Sequence, residues 1–138
     1  MRAKQVGRAV AQQLAAAGVG TWNPDGVFTA GQTAITLKQV PTNPDRVISV
    51  TVYNVNEDPD PRSVTQAWSV QVRTRAPGIP DEVDELADDV HEALECHHTQ
   101  WPEGVFVQRA HRHNFAPLGP DGNRRHERVD NYRIITAR

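Results

Sequence analysis

A single cysteine among 138 residues rules out an intrachain disulfide, which fits a chain that matures in a reducing cytoplasm without demanding one. Charge of one sign is not in excess either. With 15 Lys and Arg against 17 Asp and Glu, the formal charge is -2, and no global field gathers nucleic acid or an anionic membrane surface. Aromatic residues make up 6% of the chain and do not interleave with its basic residues as a groove for single-stranded nucleic acid requires. No apolar run approaches membrane-spanning length. The opening stretch "MRAKQVGRAVAQQLAAAGVG" is basic and then alanine-rich, but Gln12 and Gln13 interrupt the apolar core that a secretion signal needs.

Chemical signatures are scarce as well. There is no CxxC pair, no HExxH, and no GxSxG elbow at a strand-to-helix turn. Gly18 and Gly20 follow a helical stretch rather than opening one after a strand, so they read as caps and not as a phosphate cradle. Internal repeats and low-complexity tracts are also missing. The length suits one domain, residues 1–138, large enough to bury a core.

What is present is periodicity. Val6, Ala9, Val10, Gln13, Leu14 and Ala17 recur at helical steps, and Gly18 and Gly20 end that helix. Asn23-Pro24-Asp25-Gly26 is a turn signal, Ile35 and Leu37 alternate as in a short strand, and Pro41 and Pro44 close it. "DRVISVTVYNV" has the β-branched content of a buried central strand. "NEDPDPRS" reads as an exposed loop. Beyond it, Trp68, Val70 and Val72 alternate with Ser69, Gln71, Arg73 and Arg75, the pattern of a strand with one wet face. Pro80, Asp81 and Glu82 open a second helix whose apolar stripe is Val83, Leu86, Ala87, Val90 and Leu94. Two further strands, "GVFVQRAHRH" and "RVDNYRIITAR", flank the turn-rich "NFAPLGPDGNRRHE". The expected fold is α+β, with a mostly antiparallel sheet of about four to five strands, two helices on one face, and exposed loops over about 54–66 and 111–126.

Two constellations are candidates for function. "HEALECHHTQWP" gathers His91, Cys96, His97 and His98, and a helix running to about His98 would put His91 and Glu95 on one face, with Cys96 one position further on. His111, His113 or His126 from later segments would have to complete a metal site. The competing reading has these histidines capping carbonyls at the negative end of a helix. The second constellation is segregated charge. The second helix carries Asp84, Glu85, Asp88, Asp89 and Glu92, either a solvated face or paired carboxylates, while Arg109, Arg112, Arg124, Arg125, Arg128, Arg133 and Arg138 crowd the C-terminal third. An acidic face meeting Arg124, Arg125 and Arg128 of the next copy is a heterologous contact of the kind that closes into rings. Arginines that merely solubilise the chain or touch nucleic acid are the alternative.

"AAAGVGTWNPDGVF", "AITLKQVPTNPDRVISVTVYN", "VQVRTRAPGIPDEVDELADDVHEALE" and "RRHERVDNYRIITAR", in that order, resemble the tail terminator or minor capsid proteins in the neck of long-tailed phages, especially those of actinobacterial hosts. The resemblance implies a non-enzymatic virion protein without cofactor, assembled in the host cytoplasm and placed at the tail-neck junction. It implies a ring, commonly a hexamer, that stops growth of the tail tube and offers the head a docking surface. The implied partners are other copies of the chain, the major tail tube protein and a head-tail connector or stopper, with genomic DNA passing through the lumen unbound and no membrane. Expected contacts with tube or connector come from Asn56, Glu57, Asp58, Asp60 and Arg62 in the first loop and Asn114, Phe115 and Leu118 in the second. A head-closure or connector protein and a small metal-binding domain or enzyme remain the alternatives.

Overall fold

Striped in alanine and valine, the first helix, α1, spans Ala3–Ala16 and buries Val6, Ala9, Val10, Ala11 and Leu14 in the computed structural model, which describes residues 1–137. Its C-terminal turn relaxes into Gly18 at a φ of 77°, a conformation that costs a residue without Cβ least. Gly20 is needed for a different reason. A Cβ there would stand 2.9 Å from both Ile35 Cγ1 and the Thr33 carbonyl oxygen, where the chain enters the sheet.

Seven strands follow, not four to five: β1 Thr21–Trp22, β2 Ala34–Leu37, β3 Val47–Glu57, β4 Thr65–Pro77, β5 Cys96–Trp101, β6 Val105–Pro120 and β7 Arg125–Ala137. The second helix, α2 (Glu82–Leu94), lies between β4 and β5. The strands form one mixed sheet in the order β1-β2-β3-β4-β7-β6-β5, with β1, β2 and β3 parallel and every other pairing antiparallel. β1 was not expected from sequence, because two residues are too few to show alternation.

Two boundaries also differ from expectation. The first exposed connection covers only 58–64, because Asn54–Glu57 still pair with Gln66–Ser69. The second, expected as a long loop over 111–126, is mostly a ladder: Asn114 to Pro120 pair with Asn131 to His126, leaving a turn at 121–124. Prolines in that stretch are tolerated because β6 is paired on one side only there.

Alternation along β4 and β7 sorts the sheet into two faces. Trp68, Val70 and Val72 on β4 stand opposite Ile134, Tyr132 and Asp130 on β7, all buried beneath the helices. α1 covers the β2–β3 side, where Gly7 lies against Val52, and α2 contributes Leu86, Val90 and Leu94 to the same core cluster as Val70, Tyr132 and Ile134. The buried indole of Trp68 donates a hydrogen bond of 3.0 Å to the Thr136 hydroxyl, which satisfies a group that would otherwise be costly in the core. The opposite face carries cross-strand polar pairs, among them Arg73–Glu127 at 3.0 Å and Gln71–Asn131 at 3.3 Å.

Candidate functional site

The histidine-rich stretch divides between two elements. α2 stops at Leu94, Glu95 is already extended, and Cys96–Trp101 runs as edge strand β5 instead of continuing the helix to His98. His91 and Glu95 form an ion pair of 3.0 Å, whereas His97 and His98 are exposed on the strand. Trp101 is buried and anchors the strand's end, as a large aromatic at a single inward position does. Burial pushes the Cys96 thiol above its usual range, the reverse of a metal-ready thiolate. Among the described residues, no group of three or more histidine, cysteine or acidic side chains is placed to hold a metal ion.

The segregated charges meet inside one chain. Arg128 on β7 is 2% exposed and makes two hydrogen bonds to Asp130, Nε to Oδ1 at 2.8 Å and Nη2 to Oδ2 at 2.9 Å. The same guanidinium reaches α2, donating to Asp84 at 3.0 Å and Asp88 at 3.2 Å, and the ring of Phe115 covers it at 3.7 Å. Arg112 on β6 completes the cluster with contacts to Asp130 at 3.0 Å and Asp88 at 3.2 Å. Two arginines and three aspartates thus tie the acidic helix to the sheet. Burial opposes ionisation of Asp88, but the hydrogen bond from Arg112 and the charge of Arg128 prevail and hold its carboxyl below the ordinary 3.8. A depressed folded pKa contributes stability that is full above the unfolded value and is lost as pH falls through the folded one. Asp88→Asn is therefore expected to flatten the acid limb of a Tm-versus-pH curve below about pH 4; a limb as steep as that of the parent chain would contradict this.

A second pair of arginines nails down the chain between β2 and β3. Arg75, 3% exposed, donates to the backbone carbonyls of Pro41 at 2.7 Å, Thr42 at 3.3 Å, Pro44 at 2.7 Å and Asp45 at 3.0 Å. Arg125 donates to the Thr42 carbonyl at 2.6 Å and to Asp121 at 2.7 Å. Burial first, and the nearby Arg125 charge second, lower the pKa of Arg75.

Of the residues singled out for contact between copies, Asp84, Asp88, Arg125 and Arg128 are therefore engaged within their own subunit. Glu85, Asp89, Glu92 and Arg124 are exposed and have no ion-pair partner among the described residues. Arg138 lies outside the described residues. In the first connection Asp60 and Arg62 pair with each other at 3.0 Å, beyond Asn56, Glu57 and Asp58. Asn114 accepts a hydrogen bond of 2.7 Å from Asn131, and Phe115 and Leu118 are about half exposed. The two turns, 58–64 and 121–124, lie at opposite ends of the sheet, because β3 and β4 meet at one end and β6 and β7 at the other. Arg75, expected on the wet face, and Asp130 are buried, Arg112 of the C-terminal arginines pairs within its own subunit, and Tyr53, expected in a buried strand, is exposed. For Asp130 a signal existed: Arg128, Asp130, Tyr132 and Ile134 share one parity, which places the ion pair on the core face.

Residues 13–138 match the family described as bacteriophage tail terminator protein. The chain belongs to that family. Tail terminators are structural proteins of the phage tail, and this membership agrees with the resemblance read from the residues. The fold of this chain is also seen in a chain of a solved structure described as the virion of a native gene transfer agent particle. The two superpose with a TM-score of 0.66 at 15% identity, over 99% of this chain and 96% of that one. No curated protein matches the terminator by sequence.

Proposed function

We propose that this terminator assembles as a ring, hexameric in copy number, at the head-proximal end of the tail tube, where it stops tube growth and presents the surface to which the head connector docks. The family match over residues 13–138 carries this reading. The placement of the two turns supports it, since an adaptor between two different partners needs contact elements at two ends of a rigid body. The turn 58–64, with Arg62, is assigned to one partner, and the turn 121–124, with Arg124, to the other. Glu85, Asp89 and Glu92 on the outer side of α2 are candidates for charged contact between copies. The mechanism is steric: one ring face complements the tube end, and the other lacks the tube protein's polymerising surface. DNA passes through the lumen without specific binding.

Electron microscopy of particles assembled without this gene tests the reading. Overlong tubes detached from filled heads are the expected outcome. Normal-length free tails beside unjoined heads would instead make the protein a head-side connector.

A further inference from the structure

The sheet is offset, so that its two outer strands are each covered along only part of their length. On one side β2 pairs with Val47–Val50, and no described strand pairs with the outer edge of Thr51–Glu57. On the other, β5 pairs with β6 from Val105 to Ala110, and the outer edge of His111–Pro120 is likewise open. Open edges of this length are ready templates for another strand, and soluble proteins usually blunt them. These two are interrupted by bulges, at Val52/Asn54 on β3 and at Arg112/Asn114 and Pro117/Gly119 on β6, yet carry exposed apolar side chains: Tyr53 on β3, and Phe115 and Leu118 on β6.

We propose that the open edge of β6 in one copy pairs with the open edge of β3 in the next, so that the sheet continues from subunit to subunit around the ring. This rests on the ring reading above and names its lateral contact.

Four observations converge on a second copy as the occupant. The first is strand sense: β3, β4, β7 and β6 alternate in direction, so a copy laid edge to edge with the next brings β6 antiparallel to β3. The second is charge. In that sense Arg109, just before the open stretch of β6, approaches the end of β3 and its acids Glu57, Asp58 and Asp60, while the turn following β6 points back toward the end of β2. The third is a recess of about 310 Å3 beside the open part of β3, with an apolar floor of Ala3, Gly7, Leu37, Val50 and Val52 and with Lys4 and Lys38 at its walls. Its apolar floor is of a size to receive Leu118, which is about half exposed in its own subunit. The fourth is the placement of Pro117 and Pro120, which remove two backbone donors from the tip. Ladder bonds are thereby confined to the stretch before Pro117, and the tip is left to bind through Leu118. Because the open stretches lie at opposite ends of the sheet, successive copies are staggered along the strands. Their strands then tilt against the ring axis, as closed sheets require. The contact is heterologous, the kind that closes into a ring when the rotation from copy to copy permits and extends as a filament when it does not.

The test uses cysteine pairs in a Cys96→Ser background, with a short bismaleimide applied both to the purified chain and to particles assembled with the variant gene. Asn54→Cys and Ala116→Cys lie on the two open edges and face solvent or nearly so. With both in one chain, the expected product is a ladder of cross-linked species ending at the ring's copy number, and neither cysteine by itself should give more than traces of dimer. Leu118→Asp, at a residue 47% exposed, should reduce rings to monomers in sedimentation, while Ile79→Asp, exposed at the end of β4, should leave them intact. Rings that form normally but yield no ladder would overturn the edge pairing and leave the ring standing. Intact Leu118→Asp rings that no longer join tube or head would assign the β6 edge to another tail protein, which also overturns it. Absence of rings from both the purified chain and the particles would overturn the ring reading and this one together.

Discussion

Arg128→Ala is expected to lower the unfolding free energy by about 3–5 kcal/mol, the range for a buried ion pair broken by removing one partner. Asp130 is 1% exposed and loses two of its three charged hydrogen bonds, keeping only Arg112. The helix side suffers as well, since Asp84 and Asp88 lose the guanidinium that draws α2 onto the sheet. Urea denaturation followed by tryptophan fluorescence reads the loss. The double replacement Arg128→Met with Asp130→Leu distinguishes an orphaned charge from lost packing. Removing both charges and filling the space should recover more than about 1 kcal/mol relative to Arg128→Ala, because well-packed apolar side chains often replace a buried pair without net cost. If the double variant is no more stable than the single one, the damage comes from lost attachment of α2 and not from the stranded carboxylate.

For Arg75→Ala the expected loss is about 3 kcal/mol, from charge-assisted hydrogen bonds of about 1.5–3 kcal/mol each partly replaced by water. Four carbonyls between Pro41 and Asp45 converge on this one guanidinium, and Arg125 holds the Thr42 carbonyl from another direction. Arg75→Lys should rescue little of the loss. A single ammonium cannot present the planar fork that serves carbonyls on both sides. Proteolysis should show the same change locally, with new cleavage between residues 38 and 46 in Arg75→Ala. Full protection of that segment would mean that the sheet, and not the arginine, fixes it.

Both arginines show where sequence reading stopped. The core strands were legible because inward residues alternate with polar ones, as Trp68, Val70 and Val72 do, and α2 was legible through its apolar stripe. Charge was treated as surface by default, so Arg128 was assigned to a neighbouring copy although its parity with Tyr132 and Ile134 placed it inward. Alternation puts Arg75 on the wet face with Ser69, Gln71 and Arg73, but Thr74, Arg75 and Ala76 are all buried, because the chain between β2 and β3 covers that end of β4. Edge strands failed for another reason. β5 buries Trp101 alone among its six residues, and β6 beyond Ala110 is paired on one side only, so neither shows two-residue periodicity. The family was legible in the order of segments and the acidic helix. The lateral contact was not, because an open edge belongs to the register of a folded sheet.

The place of β7 in the middle of the sheet has a consequence for synthesis. β4 and β6 both pair with β7, which is the last strand of the described chain to leave the ribosome. Until it emerges, the nascent chain holds a β3–β4 hairpin and an amphipathic helix with no central strand to close the core. Such long-range pairing is slow and is completed late. The β6 edge is therefore not finished on a growing polypeptide, even though the residues beside the open part of β3 have already emerged, so half-made copies on one polysome lack one of the two faces that association needs.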